Sequence, residues 1–302
     1  MRTRDRKGFA LVELVTLIGV GFVGMSLLLP QIQAAREAAR RYGCTNNLKM
    51  IGLALLNYND ANGTFPMSAT FGTGKGQGHG NGHSGFAAIL PYMENRAVYN
   101  SVNFDMENWH EANATVTKTR IAAYLCPSGK AGDKVPASEV RTHHGKPFEG
   151  KNKFATGHYG MNWGGVRKAS GAEAEKAYGE GWQGVLLTVV DPDSKTPTKN
   201  ITFADILDGT NNTVMVAEKR DSFGWAVGGW GGSEFDVNLT PVEPGKGAME
   251  RRVFTGSDHP NGMNFLMCDG SVRFLTGKTE AKIWRQMTTR AGGEVIKDGD
   301  IK

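Results

Sequence analysis

Hydrophobic residues along this chain fall into three regimes. From Phe9 to Leu29 nearly every position is apolar (FALVELVTLIGVGFVGMSLLL), with no polar face. As a helix those residues would extend about 31 Å, enough to cross a bilayer core. From Gln31 to Asn62 the pattern turns amphipathic. Leu48, Ile51, Leu55 and Tyr58 recur at helical spacing, and Ala34, Ala35, Ala38 and Ala39 favour a helix. Gly43 is its weak point, and Asn62-Gly63 with Pro66 predict its end. Beyond residue 65 the pattern shortens. Residues 84–102 and 113–125 read as short helices, 183–190, 213–218 and 225–230 as strands. Residues 279–290 read as a closing helix with Ile283, Trp284 and Met287 on one face. NGMNFLMCDGSVRFLTG reads as a hairpin on a two-residue Asp269-Gly270 turn. That register pairs Met267 with Val272 and Phe265 with Phe274. It puts Met263, Phe265, Met267, Val272 and Phe274 on one face. The expected fold class is α+β: a long N-terminal α-helix packed on an antiparallel β-sheet, with an enlarged loop-rich body.

Glu13 interrupts the first apolar run, where a carboxylate is costly without a cation. Ahead of the run lies MRTRDRKG, which carries +3 of the chain's formal +5 and predicts a cytoplasmic flank. No small-residue cleavage site follows the apolar run, so the run is expected to be retained. Cleavage after Gly8 would instead create an amino terminus at Phe9, four residues before Glu13. In an assembly, Glu13 of one subunit would meet the Phe9 amine of its neighbour, neutralising both charges and setting axial register.

Gly8-Phe9 followed by Glu13 resembles the signal of type IV prepilins and type II secretion pseudopilins. The resemblance implies cleavage by a prepilin peptidase, N-methylation of Phe9, an assembly role for Glu13 and a helix bend at Pro30. Ala10 stands where the more usual motif has Thr. The strings AAREAARR, LPYMENRAVYNSVNFD (90–105), YLCPS (124–128), DGTNNTVMVAE (208–218) and RAGGEVI (290–296) are similar to a prepilin-like family abundant in planctomycetes, which ends in an H-x9-DG signature. Here that signature is His259, Asp269 and Gly270. The resemblance implies a basic leader over 1–8, a transmembrane and assembly helix over 9–30, its amphipathic continuation over 31–64 and an α+β body over 65–302. It implies an inner-membrane precursor with the body outside the cytoplasm, then a periplasmic pseudopilus or surface filament. The partners are the prepilin peptidase, other pilin-like subunits, the assembly machinery and the membrane.

Composition adds limits. With the leader removed only +2 remains, so no basic field points to nucleic acid. Cys44, Cys126 and Cys268 contain no C-x-x-C pair. An exported body allows one disulfide with one thiol left over. Cys44 with Cys126 is the favoured pair, with three free thiols as the alternative. The Gly-rich stretch 71–85 does not fit a phosphate loop, and His79 with His83 makes only a weak metal pair. Asp191, Asp193, Asp205 and Asp208 offer calcium ligands without EF-hand spacing, and turn caps explain them better. No metal or other cofactor is expected. His259 precedes a predicted strand and Asp269 sits at its far end, more than about 20 Å away at the usual rise, which favours a structural role. No catalytic motif assembles, so no enzyme is expected. The alternatives to a filament subunit are a minor tip subunit or adhesin that binds a glycan, a surface or DNA through the aromatic stretch Phe223 to Phe235, which holds Trp225 and Trp230, and, after it, an exported enzyme with a prepilin anchor.

Overall fold

The computed structural model describes residues 11–70, 82–130, 134–136, 153–164, 184–187, 200–220, 222, 224–228, 232–235, 255–294, 296, 299 and 301. α1 (Leu11–Asn62) is one helix of 52 residues that continues through Pro30. Its two halves live in different surroundings. From 11 to 36 every described side chain is exposed, including Leu11 at 79%, Val20 at 73% and Phe22 at 72%. From Cys44 onward Cys44, Leu48, Ile51, Ala54 and Leu55 are buried. Among the described residues, no helix is long and apolar enough to cross a membrane. The sequence's apolar run also includes Val12, Val23, Gly24 and Leu27, whose side chains lie outside that description.

The body begins with α2 (Gly85–Ala88) and α3 (Arg96–Asn100), separated by a 3-10 turn at Leu90–Met93. The single helix expected over 84–102 is broken at Pro91 and at Glu94, whose φ is 57°. Residues 113–125 also differ from expectation, forming only 3-10 turns. Val116, Thr117 and Thr119 are β-branched and poor helix formers. The Asn113 side chain instead braces the preceding loop, accepting from Asn103 N–H and donating to the Asn103 and Glu107 carbonyls.

β1 (Lys134–Pro136) and β2 (Lys153–Ala155) form a two-stranded pair. β3 (Tyr159–Met161), β4 (Val214–Glu218), β5 (Gly262–Met267) and β6 (Val272–Thr276) form an antiparallel sheet in that order. α4 (Ala281–Thr288) closes the fold, with Trp284 and Met287 buried. The segments 184–187 and 225–228 were expected within strands. They are buried but irregular, because an apolar run marks burial without specifying a ladder.

The sheet is covered on both faces. On one, Tyr159, Met161, Val216, Leu266 and Cys268 join Cys44, Leu48, Ile51 and Leu55 of α1. On the other, Val214, Ala217, Met263, Phe265, Met267 and Leu275 meet Trp284 and Met287 of α4. A register shift between Val214 and Val216 moves β4 from one face to the other.

The β5–β6 register corrects the sequence expectation by one residue. Leu266 pairs with Val272, Phe265 with Arg273 and Asn264 with Phe274. The connection is a three-residue loop, Cys268 to Gly270, in which Met267 N–H donates to Ser271 O at 2.8 Å and Gly270 N–H to Met267 O at 3.0 Å. Gly270 supplies the left-handed residue such a loop ends on, at φ 82°. Both faces of β5 are buried, so apolar alternation could not select the register.

Candidate functional site

The site lies where α1 leaves the body. Glu37 precedes Cys44 by two helical turns, so both project from the body-facing side of α1. Cys44 forms a disulfide with Cys126, S–S 2.06 Å, closing a separation of 82 residues. That closure stabilises by on the order of 4 kcal/mol in the chain-entropy picture. The neighbours of Cys126 complete the joint. Pro127 lies against Gly43, where an added Cβ would sit 3.1 Å from the proline ring. Ser128 donates its hydroxyl to Glu37 Oε1 at 3.0 Å.

His259 is buried against this joint. Its Nδ1 lies 2.6 Å from Glu37 Oε1. Its Nε2 lies 3.5 Å from Glu218 Oε1 and 3.5 Å from Cys126 Sγ. Glu218 ends β4, on the α1 side of the sheet, and is almost wholly buried. Asn264 of β5 fixes it twice, donating N–H to Oε2 at 2.7 Å and its amide to Oε1 at 2.9 Å. Arg40 donates to Glu37 Oε2 at 2.8 Å. Cys44, Cys126, Glu218 and His259 thus present ligand-type atoms all within 4.8 Å of one another.

Charge follows from this packing. Burial works against the imidazolium, but the hydrogen bond and charge of Glu218, then those of Glu37, outweigh it and raise the His259 pKa. Burial alone would raise the Glu37 carboxyl. The hydrogen bonds from His259, Arg40 and Ser128 overcome that and hold it below the usual range. The result is a chain of carboxyl, imidazole and carboxyl groups joining α1 to β4.

The other singled-out residues fall elsewhere. Gly8 and Phe9 lie outside the described residues. Glu13 is exposed near the start of α1, 24 positions before Glu37. Asp269 serves its own turn, accepting from Ser271 N–H at 2.8 Å, while its backbone N–H donates to Thr210 O. The H-x9-DG residues therefore have separate partners: Asp269 and Gly270 shape the β5–β6 loop, and His259 grips α1. Asp205 forms a capping box with Thr202, and Asp208 accepts from Gly292 and Gly293 N–H at 2.7 Å each. Asp191 and Asp193 are outside the described residues, as is His79, while His83 is buried with Nε2 2.9 Å from Met106 O. Trp225 is a core residue whose indole donates to Thr119 O, which removes it from the surface an adhesin reading needs. Phe223 and Trp230 lie outside the described residues. Cys268 is a buried free thiol. Arg41 lies over the Phe274 ring at 3.5 Å.

Sequence reasoning missed Glu37, Ser128, Glu218 and Asn264. Two signals were available: Glu37 sits two turns from Cys44, and Glu218 ends an otherwise apolar strand, VMVAE. No curated protein and no solved structure matches the chain. One family model does, over residues 33–282, the stretch that holds the site and most of the body. The chain belongs to that family, described as a protein of unknown function (DUF1559).

Proposed function

We propose that this chain is a structural subunit of a type IV pilus-like or type II secretion pseudopilus-like envelope assembly. A prepilin peptidase cuts after Gly8 and Phe9 becomes the methylated amino terminus. Before assembly the chain sits in the inner membrane as a single-pass precursor with its body outside the cytoplasm. Afterwards the exposed half of α1 packs against the same half of other subunits. The protein works without catalysis.

The observation that supports this reading is the division of α1. Its inner half is built into the body, while Leu11, Leu14, Val15, Leu17, Ile18, Val20, Phe22, Met25, Leu28 and Leu29 stand exposed. Burying a large apolar side chain is worth about 1.5–3 kcal/mol. Ten of them ask for cover worth on the order of 15–30 kcal/mol at most. Lipid before assembly and neighbouring helices after it both supply that cover. Glu13 then serves as the registering charge, meeting the Phe9 amine of the neighbour.

A Glu13→Ala substitution in the native host tests the reading. Surface-sheared or membrane-extracted assemblies should fall at least tenfold while the precursor is still made and processed. Assemblies at wild-type abundance in that variant would refute the charge-pairing step.

A further inference from the structure

The buried joint contains more donors than a structural staple requires. If Nδ1 of His259 carries its proton toward Glu37, Nε2 offers a lone pair to Glu218 Oε1 and Cys126 Sγ. Those are three electron-rich atoms facing one another. The sulfur of Cys44 lies within 4.8 Å of all three. A disulfide sulfur is a poor metal donor, whereas a thiolate is a strong one.

We propose that reduction of Cys44–Cys126 converts this joint into a binding site for one zinc-class divalent ion, held by Cys44 Sγ, Cys126 Sγ, His259 Nε2 and Glu218 Oε1. A dithiol supplies the two electrons. It becomes a disulfide, and its two protons go to the sulfurs of Cys44 and Cys126. Metal entry then displaces both thiol protons to solvent, while Nε2 binds through its lone pair and Nδ1 keeps its proton toward Glu37. Two thiolates and one carboxylate balance the dication to a net −1.

Three features fit this set. Zinc–sulfur bonds near 2.3 Å and zinc–nitrogen or –oxygen bonds near 2.0–2.1 Å give tetrahedral edges of about 3.4–3.8 Å. The separations from Nε2 to Cys126 Sγ and to Oε1 are 3.5 Å each, and Cys126 Sγ to Glu218 Oε1 is 4.0 Å; the two sulfurs, bonded at 2.06 Å, must part to about 3.8 Å once reduced. Supporting contacts are also in place. A ligating histidine usually donates its other N–H to a carboxylate, and Glu37 occupies that position, itself held by Arg40 and Ser128. Glu218 is oriented by Asn264. Finally, the ligands come from α1, the Cys126 loop, β4 and the approach to β5, so an ion would replace the disulfide as the link between α1 and the body.

Cobalt titration of the full-length protein in detergent tests the proposal. The chain is reduced anaerobically with a dithiol, desalted and titrated with Co²⁺ alone, then with Zn²⁺. One Co²⁺ per chain is expected, with thiolate charge-transfer absorption and the strong visible bands of a tetrahedral site, both lost on adding Zn²⁺. The disulfide form should show neither. Cys126→Ser and Cys44→Ser should weaken or abolish the thiolate absorption, and His259→Gln should lower affinity at least 100-fold. Glu37→Gln should lower it 10- to 100-fold. Cys268→Ser should change nothing. X-ray absorption of the zinc-loaded wild type, which needs no variant, should show two sulfur and two nitrogen or oxygen neighbours. If reduction unfolds the chain, Zn²⁺ should restore its circular dichroism. The proposal is overturned by no stoichiometric uptake, by uptake that survives His259→Gln, by a requirement for Cys268, or by zinc that fails to restore the fold.

Discussion

At the residue scale, His259 carries the most consequence for its size. It sits between Glu37 and Glu218, so removing it leaves two carboxylates in poor surroundings. His259→Ala should destabilise the disulfide-closed protein by about 2–4 kcal/mol in urea unfolding. Gly270→Ala, which forces a left-handed residue and brings a Cβ to 3.3 Å from Leu56, should cost about 1–2 kcal/mol. The reverse ranking would contradict the assignment of the joint to His259. His83 gives a separate pH test. Burial depresses its pKa, against hydrogen bonding to the Met106 and Asn103 backbone that raises it. The unfolded state therefore binds the extra proton first. Stability should fall as pH drops below the ordinary histidine value of 6.5 and level off below the folded-state pKa. The stability difference between wild type and His83→Gln, followed by thermal unfolding from pH 8 to pH 5, should move against the wild type on acidification. A pH-independent difference would contradict the burial argument. Little of this was readable beforehand. Glu37 and Glu218 touch one imidazole although they lie far apart in sequence, and pairing of that kind leaves no local spacing to find.

At the scale of elements, the inner half of α1 and the closing helix were legible because each carries a one-sided apolar pattern. Leu48, Ile51 and Leu55 face the sheet, and Trp284 and Met287 cover its other side. The β5–β6 hairpin was legible as an element but not in register. With both faces of β5 buried, its apolar alternation does not select the register, and the three-residue loop decides. The short 3-10 turns were least legible, since side-chain braces such as Asn113 hold them. Gly43 looked like a weak point in the helix. Its lack of a side chain lets Pro127 pack on α1 beside the disulfide. Gly43→Val should destabilise by about 1–3 kcal/mol by chemical denaturation, despite valine's better helix propensity than glycine. A stabilised Gly43→Val protein would show that the contact is slack.

At the scale of the whole molecule, two ends of one helix carry two tasks. The inner half belongs to a body clamped by Cys44–Cys126 and by His259, and family membership over 33–282 covers that clamp. The outer half exposes an apolar surface, which the proposed function covers with lipid or with copies of the chain. A chain beginning at Glu37 should therefore run as a monomer by size-exclusion chromatography without detergent, while the full chain associates or needs detergent. Identical behaviour of the two would remove the case for assembly through α1. The apolar run and Glu13 were plain in the sequence, because a long hydrophobic stretch and one misplaced charge are local signals. The clamp below them emerged only when the fold brought α1, β4 and the Cys126 loop together. The most direct test of the proposed role is mass spectrometry of the amino terminus of protein purified from its native membranes. The account predicts a mature chain that starts at Phe9 and carries one methyl group on its amine. An intact Met1, or a start at any other residue, would contradict it.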